Sequence, residues 1–322
     1  MTSTQTKDAI IIGAGPAGLA CAIEAARNKL DYLVLERGCI VNAIYNFPKT
    51  ITFFTTPDLL EIGDTTFITN SFRPNREEVL NYYSRVVTRY RLKIKTFEEV
   101  TGLERQNRDL KVLVKTLSGA LKQYITKKVV LATGYYDNPN LLGVKGEELP
   151  KVSHYYTEGH PFYEKNIAVI GGGNSAVEAT LDLYRHGAKV TMLLREKSLN
   201  KRIKYWIVPD IENRIKSGEV RAILNSKVTE ILPGHIVVKT KGRSHRIKND
   251  FVFAMTGYRP DIKLLEAFGV KYDPKTLVPI HAIRKLKTNV NGVYLAGSII
   301  SGINNNKVFI ENSREHGKLI FG

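Results

Sequence analysis

The chain opens with solid apolar blocks separated by glycine, not with alternation. DAIIIGAGPAGLACAIEAARNKLDYLVLE, Asp8 to Glu36, holds an apolar run suited to a buried parallel strand, a glycine turn, an Ala-rich helix and a second apolar run ending in an acid. The pattern returns 158 positions later in KNIAVIGGGNSAVEATLDLYRHGAKVTMLLR, Lys165 to Arg195. Two shorter runs also enter glycine turns: KKVVLATGYY at Thr133–Gly134 and DFVFAMTGYRPD at Gly257. Near the end, GVYLAGSIISGINNNKVFIENSREHGKLI predicts a strand, a turn at Gly297–Ser298 and an amphipathic helix from about Asn304. Val308, Ile310, His316 and Ile320 are its expected anchors.

Each residue of the first repeat has a chemical reason to be there. Gly13 makes the tight turn, Gly15 lets backbone approach a pyrophosphate, and Gly18 packs helix on strand, with Pro16 and Ala17 between them. The helix start offers free N–H groups and the positive end of its dipole to the anion. Glu36, followed by Arg37, is placed to bind the ribose hydroxyls of an adenosine. In the second repeat Gly171, Gly173, Asn174, Ser175 and Ala176 form the turn. Its second strand ends in Arg195, with Lys197, Lys201 and Arg202 following and Glu196 among them. An arginine there suits a 2′-phosphate, so NADPH is expected ahead of NADH.

Two such units imply two dinucleotides, and the chemically sensible pairing is a flavin in the first and a nicotinamide in the second. The turns at Thr133–Gly134 and Gly257 then read as crossings between domains. The expected fold is α/β with two Rossmann-like dinucleotide-binding domains. Residues 1–136 and 258–322 form a discontinuous FAD domain, and 137–257 form an inserted NAD(P)H domain. A helix from about Asn304 would aim its N-terminus at the flavin pyrimidine ring, with Lys307 assisting.

Composition narrows the class further. The 322 residues include only two cysteines, Cys21 and Cys39, which excludes a disulfide scaffold. The longest uncharged apolar stretch, Ala9–Ile23, is glycine-broken and shorter than the roughly 20 residues of a membrane helix. No basic region followed by an apolar core opens the chain, so the cytoplasm is the expected compartment. The net charge of +17 is spread evenly: residues 137–257 carry +6 and the other 201 carry +11. No nucleic-acid signature accompanies it. The charge reads as solubility, with steering of anionic cofactors or an acidic protein partner as the functional alternative. No nucleic acid, membrane or metal is expected.

With GAGPAG and Glu36, LATG, GGGNSA and YLAGS in this order and spacing, the chain resembles the low-molecular-weight thioredoxin reductase superfamily along essentially its full length. In thioredoxin reductases a redox-active cysteine pair sits just before the second glycine motif. Here that stretch reads VSHYYTEGHPFY, Val152–Tyr163, and Tyr155 and Glu158 occupy the cysteine positions. Neither phenol nor carboxylate replaces a thiolate, so a conventional thioredoxin reductase is not expected.

A narrower resemblance, carried by ERGCIVNAIYNFPKTITFFTTPDLLEIGDTTF, RPNREEVLNYYSRV, KYWIVPDIENRIKSG and NNNKVFIENSREHG, is to the bacillithiol disulfide reductases. It implies an FAD enzyme that uses NADPH on a low-molecular-weight thiol disulfide, with Asn42 and Thr56 near the flavin. The better-known members of that branch carry a cysteine directly before the last glycine of the first motif. This chain has Ala17 there, leaving no obvious nucleophile except Cys39 or the flavin itself. Lys307 and Cys39 are therefore the candidate catalytic side chains. His154, Tyr155, Tyr156 and His160 either shape the nicotinamide side or pack at a hinge.

Three functions compete. The first is an NADPH-dependent flavin oxidoreductase acting on a small disulfide or similar acceptor. The second is an electron-transfer enzyme of the ferredoxin or flavodoxin NADP reductase type, for which a basic surface would steer an acidic carrier. The third, a regulator without turnover, has no need of a second dinucleotide site. By resemblance a homodimer is expected.

Overall fold

The computed structural model describes residues 5–200, 202–304 and 307–322. The chain forms two compact units. The N-terminal unit comprises Met1–Tyr45, Thr55–Asn138 and Tyr258–Gly322; the mid-chain unit comprises Asn46–Phe54 and Pro139–Gly257. The sequence reading gives Asn46–Phe54 to the first domain; as folded, this segment packs with the mid-chain unit. Its ties explain why: the Lys49 amide donates to the Thr157 carbonyl at 2.9 Å, and the Phe54 ring stacks on Trp206 at 5.6 Å between centroids.

In the N-terminal unit the parallel strands run in the order Val293–Leu295, Leu121–Leu131, Lys7–Ile12, Tyr32–Leu35 and Ile94–Lys95. Ala9, Ile10 and Ile11 are wholly buried, as solid apolar runs covered on both faces should be. An antiparallel pair, Glu98–Gln106 and Asp109–Thr116, joins through Leu121–Leu131. The Pro16–Arg27 helix connects the first two parallel strands, as a parallel connection requires. Its Ala-rich face is narrow enough for the C-terminal helix, His316–Phe321, to pack close. A methyl group added at Gly317 would lie 2.8 Å from the Ala20 oxygen and 3.0 Å from the Cys21 Cα. A third helix, Arg76–Tyr90, starts in a capping box between Asn75 and Glu78 and buries Val79, Tyr82, Tyr83 and Val86 at helical spacing.

In the mid-chain unit five parallel strands run in the order Arg221–Ile223, Lys189–Leu193, Asn166–Ile170, Phe251–Ala254 and Val152–Ser153. The Asn174–Arg185 helix and a three-stranded antiparallel sheet, Ser226–Leu232, His235–Thr240 and Arg243–Lys248, bury its faces.

The C-terminal segment departs from the expected single helix. A 3-10 turn spans Gly297–Ser301, and the helices are Ile310–Ser313 and His316–Phe321. Asn305 and Asn306 lie outside the described residues. Local side-chain bonds explain the late start: Asn312 Nδ2 donates to the Lys307 carbonyl and Asn312 Oδ1 accepts from the Phe309 amide, both at 2.8 Å. Val308 precedes the first of these helices; His316 and Ile320 are buried, and Ile310 is half-buried. Among the described residues no helix is long and apolar enough to cross a membrane.

Candidate functional site

Each unit carries a cradle at the C-terminal end of a parallel strand, Lys7–Ile12 in the first and Asn166–Ile170 in the second. In the first, Gly13 has φ +105° and donates to the Leu35 carbonyl at 2.8 Å. A methyl group there would lie 2.6 Å from the Ala132 oxygen, and one at Gly18 would lie 2.0 Å from the Gly13 oxygen. Turn and helix are therefore in backbone contact. Gly15 is different, because nothing lies within 4 Å of the corresponding position. That open room faces the start of a twelve-residue helix with Pro16 at its first position. Room plus unspent N–H groups is what a diphosphate requires.

Four of the other residues named from the sequence, Thr133, Gly134, Gly297 and Ser298, lie beside this helix start. Gly134, at φ +65°, would bring a side chain 3.4 Å from Ser298 Oγ, and Gly297, at φ +77°, would bring one 2.8 Å from the Ala17 Cβ. The Thr133 hydroxyl oxygen is buried with no hydrogen-bond partner among the described residues. A buried hydroxyl without a partner is costly within a protein and is suited to a polar ligand. Gly297 is held from behind: its amide donates to Nδ1 of buried His316 at 3.0 Å. Sequence reasoning took His316 only as an apolar anchor.

The acid closing the first repeat is occupied by backbone. Glu36 Oε2 accepts from the Ala14 amide at 2.8 Å and Oε1 from the Gly38 amide at 2.7 Å. Burial pushes its carboxyl pKa up, and these two amides oppose the shift. Each oxygen keeps a second lone pair for a ribose hydroxyl. Arg37 points to other carboxylates, Asp137 at 2.8 Å and Glu99 at 3.6 Å. Asn42 begins a short helix, and its Oδ1 lies 3.6 Å from Cys39 Sγ. Thr56 occupies the N-cap of Pro57–Leu60 without a side-chain capping bond.

Neither cysteine is a ready nucleophile. Burial, and next the Glu36 carboxylate, raise the Cys39 pKa, and Cys21 is fully buried with its thiol pushed up to about 12. Both favour the thiol form at neutral pH. Lys307 is exposed and precedes the helix it was expected to enter.

The second cradle repeats the first. Gly171 has φ +134°, donates to the Leu193 carbonyl at 3.0 Å, and would bring a side chain 2.4 Å from the Met255 oxygen. Gly173 again has nothing within 4 Å, at the start of a twelve-residue helix. Ala176 is buried with its Cβ against Gly171, whereas Ser175 is exposed. Gly257 lies beyond the cradle, at φ +83°, accepting from the Asn140 amide at 2.9 Å. Asn174 is engaged by the following loop: Oδ1 accepts from the Lys204 amide at 2.7 Å and Nδ2 donates to the Arg202 carbonyl at 3.3 Å. Arg195 is 87% exposed, with Glu196 the carboxylate beside it at 3.5 Å, and Lys197 and Arg202 are exposed too. Lys201 lies outside the described residues.

Where a thioredoxin reductase carries its cysteines, this chain carries structural contacts. The Tyr155 amide donates to Ser153 Oγ at 3.1 Å, and Glu158 pairs with Lys49 at 2.7 Å. Between them, the buried Tyr156 hydroxyl donates to the buried Asp182 carboxylate. His154 Nε2 lies 3.2 Å from Glu147, whose carboxylate accepts the Leu142 and Gly143 amides. His160 packs edge-to-face on His186 at 6.2 Å.

A family model of pyridine nucleotide-disulphide oxidoreductases matches residues 10–297. Bacilliredoxin reductase Bdr of Bacillus subtilis (strain 168) is 44% identical over 310 residues, covering 96% of this chain and 94% of that protein. The structure of bacillithiol disulfide reductase Bdr from Bacillus cereus matches with a TM-score of 0.96 at 43% identity, covering 98% of both chains. Thioredoxin reductase from Lactococcus lactis shares the fold, with a TM-score of 0.77 at 24% identity over 98% of this chain and 96% of its own.

Proposed function

Because the chain belongs to the pyridine nucleotide-disulphide oxidoreductase family, flavin enzymes served by a nicotinamide cofactor, we propose that it is an FAD-dependent NADPH oxidoreductase that reduces a low-molecular-weight thiol disulfide. It is not a conventional thioredoxin reductase, since Tyr155 and Glu158 hold the positions of the dithiol. The observation that carries the reading is the pair of cradles, each with open room beyond one glycine, Gly15 or Gly173, at the start of a twelve-residue helix.

FAD belongs to the first cradle. The helix start at Pro16 receives its diphosphate, Glu36 offers its free lone pairs to ribose, and the Thr133 hydroxyl gains the partner it lacks. Gly134 and Gly297 leave the neighbouring backbone free of side chains, with Ser298 Oγ next to Gly134. NADPH belongs to the second cradle, with Arg195 and Lys197 exposed to meet the 2′-phosphate. A bound flavin supplies acceptance of hydride from the nicotinamide and its return as an electron pair to the disulfide. The relatives named for bacillithiol disulfide and bacilliredoxin point to the bacillithiol class of thiol as substrate. The reading extends to a cytoplasmic homodimer, checked by sedimentation.

The test is anaerobic. NADPH should bleach the yellow flavin promptly, and bacillithiol disulfide should restore the colour. Reoxidation by ferredoxin or flavodoxin alone would replace the proposal with an electron-transfer reductase.

A further inference from the structure

Lys204 stands in a basic run, KRIK, that reads as solvated surface, yet its side chain is only 6% exposed. Its ammonium donates to the Thr52 carbonyl at 2.7 Å, pairs with the Glu178 carboxylate and lies 5.8 Å from the centre of the Trp206 ring. Its amide donates to Asn174 Oδ1. One residue therefore touches the helix start of the second cradle, the loop that follows the second strand, and the Asn46–Phe54 strap. Burial raises the Glu178 pKa and Lys204 opposes that shift, so the carboxylate depends on its partner.

A buried ion pair is poor evidence of stability; its best-attested use is to fix one arrangement among several. What is fixed here is the strap. Lys49 ties it to Thr157 and Glu158, Thr52 to Lys204, and Phe54 to Trp206. Along the chain the strap runs between Asn42 and Thr56, the two residues assigned by resemblance to the flavin. Asn174 and Glu178 lie in the first turns of the helix whose N-terminus would receive the nucleotide diphosphate.

We propose that Lys204 is a positioning residue that couples occupancy of the second cradle to seating of the Asn46–Phe54 strap. The proposal rests on the reading of that cradle as the nicotinamide dinucleotide site. Nucleotide held at the helix start restrains Asn174 and Glu178; both hold Lys204, and Lys204 holds Thr52. By linkage, a seated strap strengthens nucleotide binding by the same factor.

Hydrogen–deuterium exchange on the flavin-loaded enzyme, with NADP⁺ as probe, tests this. In the wild type, NADP⁺ should slow exchange at residues 171–177 and also in the strap, the latter by about fivefold or more, the lower range of allosteric couplings. In Lys204→Met, NADP⁺ should still protect residues 171–177 but no longer the strap, and Lys204→Arg should recover strap protection. Glu178→Gln, which keeps side-chain shape, should weaken the strap response and serves if Lys204→Met does not fold. A strap response of full size in Lys204→Met and Glu178→Gln, or none in the wild type, overturns the coupling while leaving the nucleotide site in place. No protection at residues 171–177 in the wild type overturns the site reading and the coupling together.

Discussion

Lys49 Nζ lies 2.7 Å from Glu158 Oε1, so the position of the second dithiol cysteine is held by an ion pair to a strap 109 residues earlier in the chain. Lys49 also lowers the Glu158 pKa, chiefly by its hydrogen bond. No sulfur takes part. Cys39→Ala, which removes the half-buried thiol, should leave flavin bleaching by NADPH and reoxidation by bacillithiol disulfide within about twofold of wild type, because a thiol with a raised pKa is a poor attacking group. Stopped-flow absorbance reads both steps. A loss of reoxidation alone would assign the attack to Cys39.

The open and closed glycines of the first cradle should separate folding from binding. Gly15→Ala meets no atom within 4 Å and sits at φ −71°, so the apoprotein should keep its usual Tm but bind FAD at least about tenfold more weakly. Gly18→Ala drives a methyl group into the Gly13 oxygen and should lower Tm as well. Apoprotein reconstitution followed by flavin fluorescence gives the first number and differential scanning fluorimetry the second. Equal FAD affinity in wild type and Gly15→Ala would remove that cradle from the site.

Both glycine turns were legible from the chain because their requirements are local. Positive φ at Gly13 and Gly171, and backbone contact at Gly18, depend on a few neighbours and strand ends that the apolar runs announce. The 158-residue spacing exposed the repeat. What escaped was long-range. Nothing in NFPKTITFF says that Thr52 will accept from a lysine 152 residues later, and KRIK looks like solvated surface until Lys204 is seen buried against Glu178. The helix starts at Ile310, later than the expected Asn304, for a local reason: Asn312 satisfies backbone groups at Lys307 and Phe309 outside a helix. Nor does the sequence show that the Asn174 side chain bonds to its own loop, through the Lys204 amide and the Arg202 carbonyl.

Tyr156 should matter to stability more than to chemistry. Its hydroxyl donates to Asp182 where both residues are buried, and that carboxylate, after burial itself, holds the phenol pKa far above its usual value. Tyr156→Phe leaves a buried carboxylate with one fewer donor, at a cost of about 1–3 kcal/mol. Denaturant unfolding should show the loss, while the NADPH bleaching rate at saturating NADPH stays near wild type. A bleaching defect without a stability defect would move Tyr156 from packing to the reaction.

His316 should make stability depend on pH in the mildly acidic range. Burial, and then His281 nearby, pull its imidazole from 6.5 to about 4, and its Nδ1 accepts from Gly297, leaving the proton of the neutral ring on Nε2. Between those two values the unfolded chain binds a proton that the folded chain refuses. Stability from this group is therefore complete above about pH 6.5 and is lost as the pH falls towards 4. The full difference corresponds to roughly 3 kcal/mol. Asparagine keeps an acceptor for the Gly297 amide but does not titrate, so His316→Asn should lose less stability than the wild type over the same interval. Denaturation midpoints at pH 4.5 and pH 7 for both proteins give the comparison, and parallel losses in the two would show that the acid sensitivity arises elsewhere.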